Sequence, residues 1–263
     1  MNADTYAVSS NPTYNRFIYE LKYALSGLTS GELLNILKDA SIEAGKTTAK
    51  NKVEAVKGFA KSMNNTISRY RRDGIKDSLE SDFLKAKDFA KQVPDKFRNV
   101  YNNFIGLSRE EQIEQLAVLI LTVSIFYLSA GGSDIEGGLP DMDIAIGGIG
   151  VHRNLFSHTI LLGFGIEFGA RLGIRLFGAL QERLPENHLP VWDKTYSFLD
   201  THKDKGIAAM WAGIGLHLLK DSGILIGGVK PYTGLPGSMT MEAHQALFAA
   251  NGLACGMFAV KQP

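Results

Sequence analysis

Residues 139–158 read LPDMDIAIGGIGVHRNLFSH, setting Asp141, Asp143, His152 and His158 around a Gly-rich turn. Four metal-capable side chains in one short stretch, inside an apolar half of the chain, do not read as a plain surface loop. A second group follows about sixty residues on, in GIGLHLLKDSG, where His217 and Asp221 are four apart and so project from one helix face. An HxxxD pair on a single helical turn offers converging imidazole nitrogen and carboxylate oxygen to a divalent ion, and two aspartates two apart in a turn can do the same. His152 and His158 would lie about 600° apart on an ideal helix. They converge only if the chain is irregular at His152 and becomes helical near Asn154, a favourable N-cap residue. Asp141, Asp143, His152, His158, His217 and Asp221 are therefore the expected metal ligands.

Outward from this stretch the apolar periodicity is helical, which predicts an all-α protein. Its expected plan is an N-terminal helical hairpin region over 1–107 and a Gly-rich apolar helical bundle over 108–263 that carries the His/Asp site. Upstream, Ser108 and Glu111 form a capping box that opens a helix running into LAVLILTVSIFYLSAGG, residues 116–132. That run has no charged residue and falls slightly short of the ~20 residues a bilayer span needs. It fits a tilted or shallow span, or a helix buried on all sides. Downstream, residues from Asn154 to about Gln181 form an apolar helix with Glu167, Arg171 and Arg175 four apart, which read as an intrahelical ion ladder on a face that sees water or a polar protein surface. Gly165, Gly169 and Gly173 form one stripe of that helix; Ala209 and Gly213 lead into His217 on the other. Small stripes let backbones approach, so these two helices are expected to pack through them.

Residues 182–205, polar and Pro-containing, read as a surface excursion in which His188 and His202 are ordinary surface histidines. The Gly/Pro-rich run after Asp221 reads as a loop at the mouth of the site. A last helix from about Met241 to Val260 carries His244, a possible further ligand, and Cys255.

The N-terminal part predicts short helices over 12–27 and 30–43, then a longer one from Thr47 to Arg72. In the longer helix Val53, Val56, Ala60, Met63, Ile67 and Tyr70 alternate three and four apart. Lys50, Lys52, Lys57, Lys61, Arg69, Arg71 and Arg72 crowd the rest. The spacing resumes from Phe83 to Phe104, where Pro94 should kink or restart the helix, and the two segments should pair across Asp73-Gly74. The basic face is either a solvated surface or a contact for anionic lipid headgroups; its aromatics are too sparse to argue for nucleic acid.

The 263 residues are enough for a substantial core, and a net charge of +1 gives no global steering toward nucleic acid. Mean hydropathy is near zero although 21% of residues are charged, because the charges concentrate in the first 110 residues. A single cysteine excludes an internal disulfide. The N-terminus lacks a basic segment followed by an apolar one, so no cleaved secretory signal is expected.

The segments LPDMD (139–143), HRNLFSH (152–158) and HLLKDS (217–222) together resemble the motifs of the YdjM-type family, LexA-regulated proteins of the bacterial inner membrane assigned as metal-dependent hydrolases. The resemblance covers roughly residues 131–260. Asn154 stands where the family has Gly, and Thr159 where it has Ser; neither change removes a ligand type. It implies an inner-membrane-associated hydrolase holding one or two divalent ions of the zinc or manganese type. A phosphoester is the most plausible substrate, with membrane lipid as a partner. Arg153 would then clamp a phosphate oxygen through its planar fork, and whichever aspartate is not a ligand, Asp141 foremost, would serve as general base. The competing reading is a non-catalytic, membrane-anchored structural or regulatory protein whose metal or polar cluster staples its helices.

Overall fold

The computed structural model of the protein describes residues 11–132, 137–148, 152–225, 228–235 and 239–260. The start of the chain, Asp134, Glu136 and positions 149–151 of the Gly-rich turn lie outside the described residues. Among those described the chain is helical without strands: α1 (Pro12–Leu25), α2 (Ser30–Asp73), α3 (Ile75–Ile105), α4 (Arg109–Ala130), α5 (Met142–Gly147), α6 (Ile160–Gln181), α7 (Val191–Asp221) and α8 (Met241–Val260).

Helix α7 is the axis of the bundle, packed by α4, α6 and α8, while α2 lies along α6 and reaches α8. Its Trp211, Ile214 and Leu218 form the core with Phe248, Cys255 and Phe258 of α8. Backbones touch where glycine permits it. A Cβ on Gly213 would sit 2.6 Å from the Phe126 carbonyl of α4, and one on Gly215 would sit 2.9 Å from the Gly252 carbonyl of α8.

The expected packing of α6 on α7 through Gly165, Gly169 and Gly173 is corrected. Those glycines are exposed, and a Cβ on Gly169 or Gly173 would meet nothing within 4 Å. The buried face of α6 carries Gly163, Glu167, Arg171 and Gly178, with Gly163 under the Trp211 ring. The error arose in the phase: the helix starts at Ile160 behind a Thr159 cap, so His158 cannot be extrapolated onto it.

Two further expectations change, and two alternatives narrow. Residues 30–73 form one helix rather than two, because Gly45 costs only ~1 kcal/mol in a helix and sits against Phe168 of α6. Helix α3 runs through Pro94 without restarting. The segment 191–205 is the first half of α7, not an excursion; Pro190 occupies its N-cap, where a missing N–H costs nothing. Helix α4 is not enclosed, since Leu116, Leu119, Ile120 and Val123 are exposed. Helices α4 and α8 are each long and apolar enough to cross a membrane.

In the ladder on α6, Glu167 and Arg171 are buried, while Arg175 is exposed and pairs with Glu43 of α2. Glu167 accepts from Trp211 Nε1 at 2.6 Å and from Arg171 Nε at 3.1 Å. Arg171 continues to Asp204 at 2.7 Å. Lys52, read from sequence as part of the basic face, instead buries its ammonium 2.6 Å from Glu167 and over the Trp211 ring. This contact crosses the boundary drawn at 107/108 and joins α2 to the bundle. Beyond Ala55 no residue of α2 is buried. There the hairpin with α3 is tied by the Arg69–Asp82 pair, two bonds of 2.6 Å next to the Gly74 turn. At the other end Glu20 of α1 is buried, accepting from Leu189 N at 2.9 Å and Trp192 Nε1 at 2.8 Å, while Phe17 stacks on Trp192.

Candidate metal centre

Four pieces of chain build the centre. Asp141 precedes α5 and Asp143 lies in its first turn. Residues 152–159 ahead of α6 form no regular helix, and this lets His152 meet His158, their ring centroids 5.4 Å apart. Arg153 takes a left-handed φ of 61°, uncommon for a residue with a side chain. It is held there from both sides: its N–H donates to Asp143 Oδ2 at 3.0 Å and its carbonyl accepts from Thr233 N at 3.1 Å. Asn154 caps as expected, but over a turn rather than a helix, accepting from Phe156 N and Ser157 N.

The last turn of α7 adds His217 and Asp221. The loop after it covers the centre: Tyr232 Oη donates to the His158 carbonyl at 2.6 Å, Thr233 Oγ1 to the His152 carbonyl at 2.7 Å, and Lys230 Nζ lies 3.4 Å from Asp221.

All six expected ligands are brought together, and none exposes more than 8% of its surface. His158 Nε2 lies 3.1 Å from Asp141 Oδ1 and 3.7 Å from Asp221 Oδ2. His217 Nε2 lies 3.5 Å from the same Asp141 oxygen and 3.6 Å from the same Asp221 oxygen. Two donors each ~2.1 Å from one ion stand ~3.0 Å apart at a right angle and ~3.4 Å apart at the tetrahedral angle, so these separations are of ligand size. Asp143 and His152 stand beside this set, with Oδ1 to Nδ1 at 3.1 Å. Two overlapping triads result, Asp141/His158/His217 and Asp143/His152/His158.

Hydrogen bonding shows which atoms are left over. Asp143 Oδ2 takes three donors, Ser157 Oγ at 2.5 Å, Arg153 N and Asn154 Nδ2 at 3.1 Å. With its hydroxyl hydrogen given to Asp143, Ser157 Oγ accepts from His158 Nδ1 at 2.9 Å. That assigns the hydrogen of a neutral His158 to Nδ1 and aims the Nε2 lone pair at two carboxylates, an arrangement that needs a positive charge between them. Both ring nitrogens of His217, His152 Nε2 and Asp221 Oδ2 are buried without a hydrogen bond. Buried groups of this kind are rarely left unpaired, so the donor set fits a metal ion, which these buried His/Asp groups could hold.

The electrostatics agree. Burial would raise the Asp141 carboxyl, but His158 and His217 outweigh it and hold it well below the usual carboxylate range. Burial also opposes ionisation of Asp143 and Asp221; Ser157 and His152 keep the first low, and His217, Lys230 and Arg153 the second. His217 is raised: burial disfavours its cation, yet Asp141 and Asp221 favour it more.

Arg153 stands at the edge of the centre, its Nε 3.6 Å from Asp221 and its side chain 18% exposed. His244 falls in neither triad; its Nδ1 accepts from Tyr232 N at 3.1 Å, so it positions the covering loop. His188 is half-buried against Asp193 as part of a loop. His202 is corrected from a surface residue: it is buried on α7, 2.8 Å from Glu114 of α4. Sequence reasoning missed Ser157, Tyr232, Thr233 and Lys230. Ser157, one residue before a ligand in HRNLFSH, carried a readable signal, whereas the loop residues have no spacing relation to the ligands. No family model, curated protein or solved structure matches the chain.

Proposed function

We propose that the chain is a metal-dependent hydrolase of the YdjM type, associated with the bacterial inner membrane and acting on a phosphoester. The observation that carries this reading is the meeting of His158 and His217 Nε2 with Asp141 and Asp221 oxygens at ligand-sized distances, with hydrogen-bond capacity left unused. In this reading Asp141, His158, His217 and Asp221 hold an ion of the zinc or manganese type. Asp143 and His152 orient the set or hold a second ion. A divalent ion there would acidify a water molecule and polarise a phosphoryl oxygen.

The chain's own groups divide the remaining work. Asp141, held strongly ionised, is a weak proton acceptor at neutral pH and suits ligation better than general base catalysis. Asp143 fixes His152 through Oδ1 while its other oxygen is saturated. Arg153, the charged group at the rim, is placed to receive a phosphate oxygen on its fork. Helices α4 and α8 supply the apolar surfaces for membrane association.

One observation favours a structural staple instead: all six groups are buried under the 228–235 loop, and structural sites are closed where catalytic sites keep a position open. Metal analysis of the purified full chain, followed by assays with bis(4-nitrophenyl) phosphate and phospholipid, separates the readings. We expect at least one ion per chain and chelator-sensitive turnover. Metal without turnover of either substrate selects the metal staple, and the absence of bound metal rejects the hydrolase and leaves the polar-cluster staple.

A further inference from the structure

An apolar groove of about 310 Å³ lies between α4, α6 and α7, in the range of small-molecule pockets. One stripe from each helix lines it, represented by Ile125 of α4, Ile166 and Ala170 of α6, and Gly206 and Met210 of α7. Gly206 keeps it open, since a Cβ there would come within 3.2 Å of Ile125 Cδ1. Along α7 the lining runs from Leu199 to Met210, about 16 Å at 1.5 Å per residue. Past Met210 that face closes, since α4 meets the α7 backbone at Gly213. Leu139, two residues before Asp141, also lines the groove. The groove therefore comes nearest the His/Asp centre at Leu139.

We infer that this groove binds the hydrocarbon chain of a lipid phosphoester, placing its head group at the His/Asp centre. The groove's accessible lining is wholly apolar; at its far end Lys203 is engaged with Asp200 and His202 with Glu114. Ser129 Oγ and His202 Nδ1 of its lining make no hydrogen bond but are buried, so the wall an occupant meets is apolar and water there would have few partners. The groove is too small for a helix ~10 Å across. One of its walls is α4, whose Leu119, Ile120 and Val123 are exposed on a helix long and apolar enough for a bilayer. An alkyl chain moving from lipid into the groove leaves one apolar medium for another and need not cross water. The head-group assignment rests on the phosphoester reading above; chain capture does not.

The test uses the full chain in bilayer nanodiscs of phosphatidylglycerol carrying a diazirine on one acyl chain. Irradiation should give adducts at Ile166 or Met210 as well as on the outer face of α4. Ala170→Trp, at the exposed edge of the groove, should lower the groove adducts about tenfold relative to those on α4, the equivalent of losing roughly two buried methylenes. Adducts confined to the outer face of α4, or groove adducts indifferent to Ala170→Trp in a variant that melts like wild type, overturn the inference. Turnover of bis(4-nitrophenyl) phosphate is measured in parallel. Groove adducts without turnover reject the hydrolase reading and keep the chain site; turnover without groove adducts does the reverse.

Discussion

Two buried charge clusters share helix α7 and are compensated in opposite ways. Around Glu167 the chain supplies its own cations: Lys52 and Arg171 face Glu167 and Asp204, and Trp211 donates the remaining hydrogen bond. About two turns further along α7, Asp141, Asp143 and Asp221 share a space with three histidines. There the chain's own cations, Arg153 and Lys230, stand 3.6 and 3.4 Å off at the rim. Burying a carboxylate without a counter-charge is costly. One cluster is complete as a piece of protein, and the other, with its rim cations and His217, could also hold a metal ion. The contrast separates the two clusters more sharply than burial does, since apart from Asp204 and the rim cations their members are all buried.

The largest effect should come from breaking the complete cluster. Lys52→Ala removes one of the two cations on buried Glu167, leaving Arg171 and Trp211, and should cost about 3 kcal/mol in denaturant unfolding, with metal content per folded chain unchanged. A double Lys52→Met/Glu167→Gln variant should recover much of it; equal losses in both would mean that packing, not charge, holds α2 to α6. Next, His217→Ala should remove bound metal and lower stability by about 2–3 kcal/mol, the linkage expected for an ion present at ~100 times its Kd. In chelator the wild type and variant should differ far less. If the difference survives chelation, the histidine is a packing residue and the contrast between the clusters fails.

A smaller effect probes the Trp211 donor. A Cβ on Gly163 would lie 2.4 Å from the Trp211 ring, so Gly163→Ala should cost about 1–3 kcal/mol by overpacking. Gly169→Leu, on the exposed stripe, should stay within about 0.5 kcal/mol and leave metal content intact. Thermal melts of the two variants check this directly.

The smallest effect concerns a third buried carboxylate, Glu20, which is ionised by donors rather than by a cation centre. Burial opposes its ionisation, but Leu189 N–H, Trp192 and Arg16 together lower its pKa. A depressed carboxyl contributes stability above the unfolded value of ~4.3 and loses it as pH falls through the folded value. Wild type should therefore lose its advantage over Glu20→Gln as pH drops below about 4, and keep it from about pH 5 upward. A pH-independent difference would show that Glu20 enters the fold protonated.

What could be read from sequence follows from the range of each interaction. The HxxxD pair, the two capping boxes and α8 were legible because each is fixed within a turn or two. The six expected ligands were legible because buried carboxylates and histidines concentrate in an apolar half. The Lys52–Glu167 contact was hidden, since one more lysine on a basic helix looks like its neighbours until the partner helix is known. His202 and the first half of α7 were hidden by polar side chains that turn out to meet Glu114, Asp193 and one another. The glycine stripe misled because periodicity assumes an unbroken helix, and the chain between His152 and Thr159 is not one.

Helix α7 has a consequence for cooperativity. Over 31 residues without a break it carries the Glu20 contact at Trp192, the Asp204 and Trp211 contacts in the middle, and His217 and Asp221 at its end. A slip of one residue would turn each of these by ~100° and shift it by ~1.5 Å, so no single contact can lose register alone. Amide hydrogens near His217 should then exchange at the same opening free energy as those near Trp211, through whole-bundle opening rather than local fraying. Loading the centre with metal would slow exchange along the full length of α7.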